Sequence, residues 1–599
     1  MTGKEYLQSG WKLGGLFEGF DVPEIVAALE EIESRVSQFE DYRAQLSDAV
    51  NSELLVNAIW AYEGLDRLLS RLYGYASLRF SADTQDQLAQ TNLAKTRQVI
   101  ADVENRTLFF KLWWKKLDEE ITDELIKDAG EFEYWLQALR KERPYTLTEA
   151  EERVINLKDV NGSQALVTVL STITDRYSYN LEVVGQQLEL NREELRSYFY
   201  HADPDLRQAA YQEHFRLFEE DKNVIGQIYQ YRVMDWYSEQ VGLRGFESPM
   251  AVRNLSNDIP DHVVETLLDV CRQNTGLFQN YYRLKAKWIG MERLRRYDIY
   301  APVTKADLTY SYKEAVDLVL SSFQRFDPKV AEKAEMVFAH GHIDSEVRKG
   351  KRSGAFCATI APDLTPWILQ TFRGRPEDVS TMAHELGHAV HSLLADHHSA
   401  LTQSSSLPLA ETASTFGEMI VLDRLLTDNP DPQLTADLLF RNMDRNYASI
   451  MRQAFFAIFE EDAHVVFRAG ASIDEISALY GENLKEQFGD SMEISDDFHL
   501  EWLTVPHFFR YPFYVYAYTF GQLLVLGLYQ QYLADADEFR PRYLELLSAG
   551  GSDSPMNILE RAGIDVGAAE FWQGGFDVLA RNVEELEMIG DRGLGIGGR

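Results

Sequence analysis

"TMAHELGHAVHS", residues 381–392, decides how the rest of the chain is read. It lies inside "RGRPEDVSTMAHELGHAVHSLLA", which reads as a helix. Pro376 suits its first turn, and Glu377 and Asp378 suit its positive end. On that helix His384 and His388 are four residues apart, so both imidazoles point the same way. Two such imidazoles can hold one Zn²⁺ at about 2.0–2.1 Å each. Glu385 lies about 100° round the helix. From there it can reach a metal-bound water as general base without ligating the metal. His391 lies about 10 Å along the axis from His384, so one ion cannot bind both, and His391 reads as a packing or outer-shell residue.

The third ligand has to come from another element. "SLPLAETASTFGEMIVLDRLL", residues 406–426, reads as a helix starting near Pro408, with Leu409, Ala413, Phe416 and Ile420 on an apolar stripe. Its carboxylates are Glu411 and Glu418. A carboxylate on an apolar helix is costly to bury unless it is paired or binds a metal. Glu411 follows His388 by 23 residues, enough for a turn and an antiparallel return, and it is the better candidate. Glu418 is divided between a solvated face and an outer-shell role.

A second constellation is "PHFFRYPFYVYAYTFGQ", residues 506–522. His507, Tyr511, Tyr514 and Tyr518 are spaced by four, three and four, which on a helix is one face bearing an imidazole and three phenols. Such donors can hydrogen-bond the oxyanion of a tetrahedral intermediate. Pro512 would kink that helix or mark its first turn.

The whole chain bounds the class. Its 599 residues indicate several domains or one large helical assembly, and 45% hydrophobic with 26% charged residues are globular values. A net charge of −36 excludes nucleic acid and anionic membranes as natural partners. Two cysteines, Cys271 and Cys357, make no disulfide framework and point to a reducing, cytoplasmic setting. No signal peptide or membrane span is expected.

Most of the chain reads as helix. In "DVPEIVAALEEIESRVSQFEDY" Asp21 is a candidate cap, and Ile25, Val26, Leu29, Ile32, Val36 and Phe39 share a face. "RKERPYTLTEAEERVINL" breaks near Pro144 and restarts with Thr148 as cap and Glu151 at the third position. Boundaries fall near 110 and 180. "GAFCATI" (354–360) and "PWILQTF" (366–372), separated by "APDLT", read as a hairpin or two adjacent strands. The tail "GDRGLGIGGR" reads as frayed.

Four motifs in this order, "GKRSGAFC" (350–357), "HELGH" (384–388), "AETAS" (410–414) and "HFFRYPFYVYAY" (507–518), make the chain resemble oligoendopeptidase F, a bacterial branch of the thimet oligopeptidase family. The resemblance is strong over about 200–580 and recognisable over 110–180. It implies a mainly α, two-lobed helical shell around a deep substrate channel, with a small β hairpin or sheet near the zinc site. It divides the chain into an N-terminal helical region (1–110), a small helical domain (111–180), a zinc metallopeptidase domain (181–585) and a flexible tail (586–599). Residue by residue, it implies one Zn²⁺ per chain on His384, His388 and Glu411, with Glu385 activating the zinc-bound water. The oxyanion would be held by His507 and one or more of Tyr511, Tyr514 and Tyr518. From the residues themselves, "RSGAFC", with Gly354, Ala355 and Phe356, and "PWILQTF" would either offer a free strand edge to a peptide substrate or form an ordinary buried hairpin. The expected function is a zinc endopeptidase acting on short to medium unstructured peptides. A zinc carboxypeptidase of similar fold and a catalytically silent peptide-binding protein are the alternatives.

Overall fold

The computed structural model describes residues 5–20, 22–303, 309–429 and 431–594. Asp21, read above as a cap, and the last five residues of the glycine-rich tail lie outside the described residues. The chain is mainly α, with a few short strands. It separates into two compact units, each assembled from three stretches of chain. The first comprises 1–143, 307–428 and 531–565, the second 144–306, 429–530 and 566–599. Boundaries drawn along the chain at 110, 180 and 585 are therefore a different kind of division.

In the first unit the helix Pro23–Glu40 buries Ile25, Ile32, Val36 and Phe39, but Val26 and Leu29 are exposed, so its apolar stripe is narrower than the sequence suggests. Helix α1 (Tyr312–Phe326) precedes a small three-stranded sheet. The strands are β1 (Ile343–Asp344), β2 (Phe356–Ala358) and β3 (Trp367–Leu369), in the order β1-β3-β2. β2 and β3 are antiparallel, with Cys357 opposite Ile368, as the two β-prone runs predict. β1 joins β3 in parallel, and at two residues it is too short to carry a sequence signal. The sheet packs on α2 (Pro376–Leu394). α2 also packs along α4 (Thr412–Asp428), which follows the single turn α3 (Leu407–Ala410).

The second unit opens after the break at Arg143–Tyr145, where Thr148 and Glu151 form the expected capping box. Its long helix Pro204–Trp236 packs against α5 (Met451–Arg468) and α6 (Pro506–Arg510). The buried Arg232 Nε donates to the Phe509 carbonyl at 2.9 Å, tying the long helix to α6. α7 (Tyr516–Ala534) follows six residues after Arg510. The unit ends on the helix Ala569–Ile589, continued by a π turn through Leu594. Among the described residues, no helix is long and apolar enough to cross a membrane.

Candidate metal centre

α2 starts as its sequence dictates, with Pro376 in the first turn and Asp378 accepting from the backbone N–H groups of Arg373 and Arg375. One turn on, His384 and His388 stand on the same face, with ring centroids 4.8 Å apart. The 406–426 stretch does not form one helix. It breaks at Glu411 between α3 and α4, although Leu409, Ala413, Phe416 and Ile420 are all buried as predicted. The break turns the Glu411 carboxylate to α2. Its Oε2 lies 3.4 Å from His384 Nε2 and 3.6 Å from His388 Nε2.

One donor atom from each of His384, His388 and Glu411 lies within 4.8 Å of the others, and the three could hold a metal ion. Ligands of a tetrahedral ion at ordinary Zn–N and Zn–O distances are about 3.3 Å apart, so the two contacts to Glu411 are near the spacing such an ion demands. The donor set, two imidazole nitrogens and a carboxylate oxygen, is one that Zn²⁺ favours.

The surroundings orient these donors. His384 Nδ1 lies 2.8 Å from Glu418 Oε1, and Ser380 Oγ donates to the same carboxylate at 2.5 Å. Donation from Nδ1 leaves the Nε2 lone pair facing Glu411. Ser414 Oγ donates to Glu411 Oε2 at 2.7 Å. Both His388 and His391 hydrogen-bond the Ala410 carbonyl, next to Glu411. His391 is buried and takes no place in the triad, as its distance along the helix requires.

Of the two carboxylates Glu418, not Glu411, is the more deeply buried. The side chain of Glu411 is 47% exposed and that of Glu418 only 19%. Glu418 is the carboxylate whose burial needs a partner, and it has His384.

Burial opposes charge on His384, but the Glu418 hydrogen bond and the nearby carboxylates outweigh it and raise its pKa. Burial lowers His388, and brings His391 down to about 4. Glu385 is buried and pushed up to about 7, mainly by desolvation, with Glu411 and Glu418 adding repulsion.

Close approach of α2 and α4 depends on two glycines. A β-carbon at Gly387 would meet the Ala413 carbonyl oxygen at 2.5 Å, and one at Gly417 would meet the Ala383 carbonyl at 3.0 Å. Gly387 stands inside the H-E-x-x-H motif, so its signal was present in the sequence. Ser380, Ser414 and the Ala410 carbonyl had none.

β2 is an outer strand of its sheet. Gly354 and Ala355 precede this strand, and Gly354, with open space beside its α-carbon, turns the chain into it with φ +85°. Ala355 and Phe356 are partly buried. Phe356 packs between the Trp11 ring, 6.2 Å away, and the Arg352 guanidinium, 5.4 Å away.

In the second unit, the one-helix reading of His507, Tyr511, Tyr514 and Tyr518 is corrected. α6 ends at Arg510 and α7 starts at Tyr516, because Pro512 lacks an N–H and Phe513 turns back with φ +56°. The residues cluster nonetheless. His507 stacks parallel to Tyr514 with centroids 5.9 Å apart, and Tyr518 Oη lies 3.3 Å from His507 Nε2. Tyr511 is 6.1 Å from Tyr514, centroid to centroid. Tyr511 and Tyr518 are exposed. His507 is lowered by burial and by Arg510.

A mainly α chain with an H-E-x-x-H helix and a glutamate delivered from the break between two neighbouring helices has the make-up of a helical metallopeptidase. Residues 197–578 match the model of peptidase family M3, and residues 113–174 match that of Oligopeptidase F. The chain belongs to peptidase family M3 and is a peptidase. It is 25% identical to Group B oligopeptidase PepB of Streptococcus agalactiae, over 94% of each chain. It is 24% identical to oligopeptidase PepF of Bacillus subtilis, over 94% of this chain and 84% of that one. The crystal structure of oligoendopeptidase-F from Enterococcus faecium shares its fold, with a TM-score of 0.70 at 22% identity, covering 95% of this chain and 99% of that one.

Proposed function

We propose that the protein is a zinc-dependent endopeptidase that hydrolyses internal bonds of short to medium unstructured peptides. The observation that carries this reading is the meeting of His384, His388 and Glu411 donor atoms within 4.8 Å, with Glu385 next to the first of them. His384 Nε2, His388 Nε2 and Glu411 Oε2 would hold the ion. Bound Zn²⁺ supplies Lewis acidity that polarises a peptide carbonyl and makes water more acidic.

The chain's own groups do the rest. Glu385 takes a proton from the attacking water, and the oxygen adds to the peptide carbonyl carbon. Glu385 then delivers that proton to the departing amide nitrogen as the C–N bond breaks. Glu418 keeps the His384 proton on Nδ1. Donors among His507, Tyr511, Tyr514 and Tyr518 hydrogen-bond the developing oxyanion, a role supported by their clustering. The outer edge of β2 at Phe356, with Gly354 and Ala355 leading into it, pairs with an extended peptide backbone. Relatives named oligopeptidase and oligoendopeptidase support the preference for peptides over proteins, and we place the activity in the cytoplasm.

The test is digestion of unstructured peptides of rising length, with free and blocked ends, read by mass spectrometry with and without 1,10-phenanthroline. Internal cleavage that survives blocking of either end and stops with the chelator is expected. Strict need for a free C-terminus would make the protein a carboxypeptidase. Full activity without metal would overturn the zinc site.

A further inference from the structure

Glu460 lies in the middle of α5, within the apolar run "RQAFFAIFEEDAHVVF", and is completely buried. Such a carboxyl ordinarily sits in an ion pair. This one does not. Its Oε1 accepts the backbone N–H of Phe513 at 2.9 Å, and its Oε2 has no hydrogen-bond partner. Phe513 is one of three described non-glycine residues with positive φ, at +56°. A left-handed conformation is unfavourable for an ordinary residue, so neighbouring groups must hold it.

Those groups come from two elements. One turn along α5, the His464 imidazole packs 4.6 Å from the buried Phe513 ring. From the helix Ala251–Asn257, Arg253 Nε donates to the Pro512 carbonyl at 3.3 Å, and its guanidinium stands 5.8 Å from the Tyr514 ring centroid. Asn257 of the same helix donates to the Tyr516 hydroxyl at 2.9 Å. Each residue of the segment 512–514 is thus held by a group from α5 or from the 251–257 helix. The segment reverses the chain between α6 and α7 and brings Tyr514 and Tyr518 onto His507.

We propose that Glu460 is a positioning residue for peptide hydrolysis: through Phe513 it sets the arrangement of His507, Tyr514 and Tyr518. This rests on the reading that those donors face the reacting carbonyl. Glu460 acts as a neutral acceptor. Burial pushes its pKa to about 8, against the opposing pull of the Phe513 N–H and Arg253. The other ionisable neighbours are Tyr229, whose phenol is raised by burial and by Glu460, and His464, held near 3 by burial and Arg468.

The test compares Glu460→Gln with Glu460→Met and Glu460→Asp. Glutamine keeps a neutral acceptor at the same reach. Methionine fills the space without one, and aspartate falls one methylene short. The measurements are zinc content, thermal melting, and kcat and KM on a quenched peptide. Glutamine should leave kcat near wild type. Methionine and aspartate should keep zinc and KM but lower kcat between about ten- and a hundredfold, the scale of a displaced catalytic group. Wild-type kcat in Glu460→Met, or an equal loss in Glu460→Gln, overturns the proposal. If methionine and aspartate both abolish folding while glutamine does not, Glu460 holds the fold rather than the site, which also overturns it. Glu385→Gln separates this from the underlying reading. Loss of turnover there, with Glu460→Met active, leaves the endopeptidase standing and removes only the positioning role.

Discussion

The α-carbon of Gly387 faces the backbone of Ala413 so closely that a β-carbon there would lie 2.5 Å from its carbonyl oxygen. Gly387 precedes one proposed zinc ligand, His388, and Ala413 lies two residues past another, Glu411. Gly387→Ala gains about 1 kcal/mol of helix propensity. It meets backbone that cannot rotate away, and overpacking of this kind costs about 1–3 kcal/mol. A lower melting temperature and weaker zinc binding are expected. A variant melting higher than wild type would show that α2 and α4 can separate without harm.

Glu418→Gln and Glu418→Ala test the outer contact to His384. Removing such a carboxylate typically weakens metal binding about 10–100-fold. Competition with a chromophoric chelator reads this directly. An unchanged zinc affinity in Glu418→Ala would show that the His384–Glu418 contact does nothing for the metal.

Base and ligand separate by substitution. Glu385→Gln should keep stoichiometric zinc and lose turnover by about 10²–10⁴-fold, since an amide accepts no proton. Glu411→Gln should lose zinc as well, because a neutral oxygen is a weaker ligand. Metal analysis alongside kcat distinguishes the two, and wild-type turnover in Glu385→Gln would remove it from the base role.

Glu460 gives stability a pH dependence. Its ordinary value of 4.5 is raised to about 8 on folding. Between those values the folded state holds a proton that the unfolded chain has released. The contribution is full below 4.5 and is lost as pH rises through about 8. Urea unfolding of wild type should therefore lose stability between pH 5 and 9 relative to Glu460→Gln, which cannot ionise. Parallel curves for the two proteins would show that Glu460 is charged in the folded state.

Local chemistry and spacing were enough for the helix Pro376–Leu394, the shared face of His384 and His388, the exclusion of His391, the capping box at Thr148 and the pairing of β2 with β3. In each case a helical or strand period, a cap or a turn residue acts over a few positions. Relations carried by distant backbone were not legible. The break at Glu411 ends a helix that the apolar stripe continues straight through, and the hold on Glu418 comes from a serine 38 residues away. The 507–518 stretch makes the contrast sharpest. Its sequence set an imidazole and three phenols at four-three-four spacing, which predicts a shared face only on one continuous helix. Only the tertiary structure decided that the path is two helices joined by a reversed turn. At that turn the left-handed Phe513 gives its N–H to a buried carboxyl, Glu460, 53 residues earlier in the chain, a partner that no local spacing could announce.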